Sequence, residues 1–266
     1  TATTVIYTLS LPGALPIYHA YGRVIGLKKV AIITPIPDMV DAIIQQSMLR
    51  KAHTEGIIDF DVVDLRDFGQ GNYRQIDDTP YGGGGGMVLM AEPLFAAMDH
   101  TIDKIGAAAN LRVIYPSPQG KQWSQDAAQE NSSVENLIFI CGHYKDIDHR
   151  VIDKYVTHEY SIGDYVVTSG EIPTMIMIDS IVRLLPGVLN NFDSAKTDSF
   201  FTESLLDAPY YTKPKEIDGL SVPEVLMSGN HEKIAAWRQD ERSRRTEVKR
   251  PDLGQARAKK LESSEN

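Results

Sequence analysis

Cysteine occurs once in these 266 residues, as Cys141. A single thiol excludes a disulfide framework within the chain and any cysteine-based zinc cluster, and it fits a reducing compartment. The seven histidines are scattered, with no H-x-x-x-H pair, so a transition-metal centre is not expected. No glycine-rich segment leads into Lys-Ser or Lys-Thr, which argues against a phosphate cradle and against nucleotide hydrolysis. Long apolar runs are missing too. Residues 1–18 are apolar and Thr-rich, but Pro12, Gly13 and Pro16 interrupt them, and no Lys or Arg precedes Arg23. That pattern fits neither a membrane span nor a secretory signal. Residues 1–27 are therefore read as a non-native or disordered extension, and the chain is expected to be cytoplasmic.

Positive charge is also scarce. The chain carries 27 Lys/Arg against 36 Asp/Glu, a net charge of −9. The distribution is uneven. Between Lys233 and Lys260 there are ten Lys/Arg against four Asp/Glu, a local +6, while the remainder holds 17 against 32, or −15. A basic segment on an acidic body points to a nucleic-acid contact, and a solvated helical tail has the same composition.

What is present is a strand–helix alternation. Lys28 to Thr34 has the pattern of a buried strand, ended by Pro35 and Pro37, and Asp38 is placed to cap a helix over Met39 to His53. Strands are expected at Asp59 to Leu65, at Leu111 to Tyr115 (broken by Pro116 and Pro118), at Leu137 to Cys141, and over Glu159 to Ile162 with Tyr165 to Val167. Helices are expected from Glu92 through Met98, around Ser124 to Gln129, and from Thr174 to Leu185. This order implies a parallel α/β layer. Residues 190–199 read as a linker. The remainder, with helical stretches near Val222 to Met227 and His231 to Arg245, reads as a small, mostly helical domain.

Three glycine-bearing loops fall at strand C-terminal ends: Tyr115-Pro116-Ser117-Pro118-Gln119-Gly120, Cys141-Gly142-His143-Tyr144, and Ile162-Gly163 through Ser169-Gly170. Ligands of open α/β sheets bind at such ends. The absence of charge from the loop cores suggests a neutral, flat ligand such as an adenosine, gripped through backbone. No G-x-G-x-x-G follows the first strand, which counts against a dinucleotide site. The Gly82–Gly86 run reads either as a loop that orders over a ligand, with Asp77 and Asp78 near a cationic group, or as a solvated turn. Arg183 lies among Met175, Ile178, Val182 and Leu185 at helical spacing, so it is either paired or held at a site. Asp198, in a polar segment before Phe200-Phe201, is not distinguished by its own context.

Taken together, these residues resemble the bacterial tRNA (guanine-N1)-methyltransferase family. The resemblance is carried by Asp77-Asp78-Thr79-Pro80-Tyr81-Gly82-Gly83-Gly84, Ser117-Pro118-Gln119-Gly120, Cys141-Gly142-His143-Tyr144, Ser161 to Val167, Leu185-Pro186-Gly187-Val188-Leu189, Asp198-Ser199-Phe200, Leu205-Leu206-Asp207 and Val222-Pro223-Glu224-Val225-Leu226, in the family's order from about Lys28 to Leu253. It implies a deep trefoil knot of the SPOUT class in an α/β domain over residues 28–189, a flexible linker over 190–199 and a helical tRNA-binding domain over 200–266. It implies a homodimer with the active site at the subunit interface, and no membrane association.

The implied methyl donor is S-adenosyl-L-methionine, bound by Tyr115, Pro116, Ser117, Pro118, Gly142, Tyr144, Ile162, Gly163, Asp164, Tyr165, Val166, Val167, Ser169, Gly170 and, from the partner subunit, Asp207. The implied catalytic pair is Asp198, as base toward guanine N1, and Arg183, as the cation facing O6. The family is also linked to Mg2+, for which the sequence shows no dedicated site. Lys233, Arg238, Arg242, Arg244, Arg245, Lys249 and Arg250 are expected to meet the tRNA backbone. Departures from the common pattern are Lys145-Asp146 in place of Glu-Gly, Ser169 in place of Gly, and Pro116 in place of Leu. Two alternatives remain at this stage: methylation of another RNA base, and a catalytically weak RNA-binding homologue.

Overall fold

The computed structural model describes residues 26–106, 110–190, 192, 195, 197–201 and 205–253. Most of the extension expected at 1–27, part of the linker expected at 190–199 and the last thirteen residues lie outside the described residues. The chain divides after Asn190 into two compact units.

The first unit opens with β1 (Lys29–Thr34), α1 (Pro37–Ile44), α2 (Ser47–Thr54) and β2 (Asp59–Asp64). Short strands β3 (Asp77–Asp78) and β4 (Val88–Leu89) precede α3 (Ala91–Ile105). Then come β5 (Leu111–Gln122), α4 (Gln125–Ser132), β6 (Asn136–Ile140), α5 (His149–Tyr155), β7 (His158–Ser161) and α6 (Glu171–Val182). Five strands form one sheet in the order β2-β1-β6-β5-β7, and every pairing is parallel. The central strands are apolar on both faces. Val30 to Ile33 and Leu137 to Ile140 are all buried, as a parallel sheet covered by helices on both sides requires. One face packs Ala31, Ile33, Val113, Ile138 and Ile140 against Leu94, Ala97 and Met98 of α3 and Val151 of α5. Helix α6 packs with α1, α2 and α4, which explains its apolar residues on almost every side.

Several expectations are corrected. The single helix over Met39 to His53 is two helices. Val40 and Ile44 are buried on α1, Leu49 and Ala52 on α2. The five-residue step from Ile44 to Leu49 would turn Leu49 off a continuous buried face, and the break, with Ser47 at φ 47°, resets the phase. Asp38 does not cap α1. Pro37 opens the helix, and Thr34 Oγ1 accepts the Ile36 N–H at 3.0 Å.

Strand β5 does not stop at Pro116. Pro116 and Lys121 both register against Tyr160, so residues 117–120 bulge outward and the prolines need not donate to the ladder. Gly120 makes this fit, because a Cβ there would lie 2.4 Å from Glu159 C and Tyr160 N. Residues 165–167 are not a strand. The Tyr165 N–H folds back onto the Gly163 carbonyl at 2.9 Å. Helix α6 begins at Glu171 and ends at Val182, so Arg183 is its C-cap rather than an interior residue. Helix α5 was not expected. Asp148 supplies its N-cap, accepting the Arg150 N–H at 3.0 Å.

In the second unit the described elements are a hairpin of β8 (Glu216–Ile217) and β9 (Leu220–Ser221), the short α7 (Glu224–Met227) and the long α8 (His231–Lys249). Asp218 and Gly219, at φ 51° and 75°, form the tight turn of the hairpin, a strand pair the sequence reading missed. Asn230 caps α8 by accepting the Lys233 N–H at 3.1 Å. Buried Thr246 on α8 accepts the Leu206 N–H at 2.9 Å, which fixes the irregular chain after residue 205.

Candidate functional site

Strands β6, β5 and β7 are neighbours and parallel, so the loops that leave β6 and β7 lie beside the bulge within β5. Gly142 is where they meet. A Cβ at Gly142 would lie 2.7 Å from the Tyr115 hydroxyl, so the Tyr115 ring covers its Cα. The Gly170 N–H donates to the Gly142 carbonyl at 2.7 Å, and a Cβ on Gly170 would stand 2.5 Å from Gly142 N. Both glycines are needed for close approach, Gly142 to the Tyr115 ring and Gly170 to the backbone at Gly142, and not for turning.

Each loop is also braced internally. Buried Ser117 Oγ accepts the Gln119 N–H at 3.1 Å. Ser161 Oγ donates to the Gly163 carbonyl at 3.0 Å and accepts the Gly163 N–H at 3.2 Å. The Trp123 N–H donates to the Ser161 carbonyl at 2.7 Å, tying the β5 bulge to the β7 loop. Pro116, Ser169 and Gly170 are buried, Ile162, Gly163 and Val167 are half-buried, and Pro118, Asp164, Tyr165 and Val166 are exposed. Tyr144 is exposed at φ 59°, with its ring edge-on to His143 at 4.5 Å.

The sequence reading did not give the polar contacts of Asp146, Glu171 and Cys141 here. Tyr115 donates to Asp146 Oδ1 at 2.6 Å, and burial, followed by that carboxylate, pushes the phenol well above its ordinary range. Glu171, at the start of α6, is 0% exposed and receives the Thr34 hydroxyl at 2.6 Å. Its other oxygen has no hydrogen-bond partner among the described residues. Changing Thr34 to Val is therefore expected to cost about 1–3 kcal/mol, measurable as a lower urea midpoint at unchanged slope. Cys141, fully buried, lies 3.4 Å from Thr174 Oγ1, and burial, followed by the Glu171 charge, pushes its thiol up. Iodoacetamide at pH 8 is expected to label this thiol only after the chain is unfolded.

The Gly82–Gly86 run is exposed, and four of its five glycines have positive φ. The chain leaving it is fastened to the β6 loop. Lys145 N–H donates to the Met87 carbonyl at 3.0 Å, Leu89 N–H to Asp146 at 3.0 Å and Asp148 N–H to Leu89 at 2.9 Å. Asp78 Oδ1 accepts the Thr79 N–H at 2.7 Å, and Asp77 pairs through β3 with Leu89.

Arg183 belongs to the first unit, Asp198 and Asp207 to the second. Asp198 and Arg183 are both half-buried. Within the second unit the two acidic segments are joined. Asp207 N–H donates to Ser199 Oγ at 2.9 Å, and Phe200 N–H to the Leu205 carbonyl at 3.0 Å. The Asp207 carboxylate is held by the Ala208 N–H at 2.7 Å and the Tyr210 hydroxyl at 2.6 Å, a bond that raises the Tyr210 pKa.

Along α8 and its end, Lys233, Arg238, Arg244, Lys249 and Arg250 are exposed, with Arg244 paired to Glu241 and Arg250 to Asp252. Arg242 and Arg245 are half-buried, with guanidinium nitrogens that are covered and lack partners among the described residues. No group of three or more potential metal-ligating side chains gathers among the described residues. No helix among them is long and apolar enough to cross a membrane.

The profile of the family described as tRNA (Guanine-1)-methyltransferase TrmD matches residues 28–256. The chain is 48% identical over 225 residues to a tRNA (guanine-N(1)-)-methyltransferase of Staphylococcus carnosus, covering 85% of this chain and 90% of that one. A protein of the same name from Lacticaseibacillus paracasei is 49% identical, at 85% and 86% coverage. One from Clostridioides difficile is 45% identical, at 84% and 95%. With the match spanning both units and all three loops, the chain belongs to the tRNA (guanine-1)-methyltransferase family.

Proposed function

We propose that this chain transfers a methyl group from S-adenosyl-L-methionine to N1 of the guanosine immediately 3′ of the tRNA anticodon, position 37. The observation that carries the reading is the junction of three glycine-bearing loops at Gly142, in a chain of this family. The loops offer backbone groups, small side chains and the Tyr115 ring, a surface suited to adenosine and to a methionine tail. When bound, the cofactor supplies an electrophilic methyl on a sulfonium. The binding residues are those of the three loops named from the sequence.

The chain's own residues handle the proton and the charge. Guanine N1 carries a proton and is a poor nucleophile until it leaves. Asp198 takes that proton as general base. Arg183 faces O6 and stabilises the negative charge that builds there. Once Asp198 has taken the proton, N1 would be free to accept the methyl group that the loops would hold in line with it. Alignment is the loops' main contribution.

The same reading assigns residues 28–189 to the cofactor domain, 190–199 to a linker that lets Asp198 close over the base, and 200–266 to tRNA binding. The deep trefoil knot is part of it. The tight stacking of Gly170 on Gly142 supports a chain drawn close beneath the β6 loop. A homodimer is also part of it, with Asp207 reaching the partner's cofactor. Ile172 and Ile176, one helical turn apart on α6 and 39% and 46% exposed, support an apolar contact face, as does Val166 at 83%. A tRNA substrate places the protein in the cytoplasm. Exposed Lys233, Arg238 and Lys249 are the strongest phosphate contacts of the basic helix; the covered nitrogens of Arg242 and Arg245 suit a packing role better.

The test is methyl transfer from labelled cofactor to paired transcripts carrying guanine or adenine at position 37. Transfer to the guanine transcript alone is expected. Equal transfer to the adenine transcript overturns the reading in favour of another base.

A further inference from the structure

We infer that Asp146 is a positioning residue of the cofactor site, holding the Tyr115 ring across Gly142 so that the three loops keep one arrangement. The inference depends on the S-adenosylmethionine reading above.

Asp146 is built to be a fixed acceptor. Its Oδ1 takes the Ile147 N–H at 2.8 Å and the Tyr115 hydroxyl at 2.6 Å. Its carbonyl accepts the Leu89 N–H at 3.0 Å, and the flanking residues Lys145 and Asp148 are bonded to Met87 and Leu89. The backbone that carries the carboxylate is therefore anchored to the segment that leaves the glycine run, outside the three loops. Tyr115 is 4% exposed, so its hydroxyl has little water to turn to if Asp146 is lost. The ring it steers fills the space a Gly142 side chain would need, and Gly142 in turn receives Gly170. One bond thus connects the β5 loop, the β6 loop and the start of α6. A short bond to an oxygen that the Ile147 N–H also holds removes the rotational freedom of the phenol.

The test is calorimetric titration of S-adenosylmethionine into the full chain and four variants: Asp146→Ala, Asp146→Asn, Tyr115→Phe and the double Asp146→Ala/Tyr115→Phe. Circular dichroism at the titration temperature establishes that each is folded. Asp146→Ala and Tyr115→Phe are each expected to weaken binding about tenfold, one hydrogen bond's worth. The double variant is expected to lose about tenfold as well, since both changes remove the same bond. Asp146→Asn, whose amide oxygen accepts both bonds, is expected to stay within about threefold of wild type. An unchanged affinity in folded Asp146→Ala, or a double variant weakened about a hundredfold by simple addition, overturns the inference. If Asp146→Ala does not fold, Tyr115→Phe decides: weakened binding supports the tether and unchanged binding overturns it. Wild type that binds no S-adenosylmethionine overturns the cofactor reading itself, a separate failure.

Discussion

Asp198→Ala is expected to lower single-turnover methylation by about 10²–10⁴-fold, the contribution of a positioned general base. The proton on guanine N1 has no other assigned acceptor among the residues of the proposed mechanism. S-adenosylmethionine affinity is expected to stay close to wild type, because Asp198 belongs to the second unit and the three loops to the first. The main-chain bonds of Asp198, to the Ala195 carbonyl at 3.1 Å and from the Phe201 N–H at 3.4 Å, do not involve its carboxylate and survive the change. Rapid-quench methylation with labelled cofactor, beside calorimetric binding, separates the two effects. A variant that turns over at wild-type rate removes Asp198 from the role of base. One that loses cofactor affinity in parallel makes it a structural residue.

Gly170→Ala is expected to destabilise the first unit by about 3 kcal/mol and to remove measurable cofactor binding. The added Cβ would stand 2.5 Å from Gly142 N and 2.9 Å from Cys141 Cα, both backbone atoms with no flexible end to yield. Relief would separate the two loops and break the 2.7 Å bond between the Gly170 N–H and the Gly142 carbonyl. Gly85→Ala is the control, since a Cβ there meets nothing within 4 Å and the backbone is not left-handed. Urea unfolding at constant slope measures both variants. Equal midpoints for the two would show that the close approach of Gly170 and Gly142 carries no stability.

The parallel core was legible because its strands are apolar on both faces. Val30 to Ile33 and Leu137 to Ile140 could be neither edge strands nor surface helix. The loops after β6 and β7 followed from the same strands, since parallel neighbours deliver their carboxyl ends to one edge; the third segment lies inside β5 instead. The β5 bulge was not legible. Pro116 and Pro118 read as a stop, yet a strand can pass prolines when the registered residues, Pro116 and Lys121, close over a bulge. The division of the first helix depended on which residues face the core, information a sequence supplies only as a period. Glu171 was given no role, because its helix was expected to start only at Thr174 and its partner Thr34 stands 137 positions away in sequence. The Tyr115–Asp146 bond was hidden for the same reason, its ends being 31 positions apart in sequence. Arg183 and Asp198 were singled out for their roles by family resemblance, since neither context separates a catalytic side chain from a solvated one.

The most direct measurement is single-turnover transfer from S-adenosyl-L-methionine to an unmodified tRNA transcript with guanosine at position 37, followed by nucleoside mass spectrometry of the product. The account predicts one methyl group per tRNA, recovered as 1-methylguanosine from that position. Methyl recovered on another atom or another base, or tight tRNA binding with no transfer at all, would contradict it.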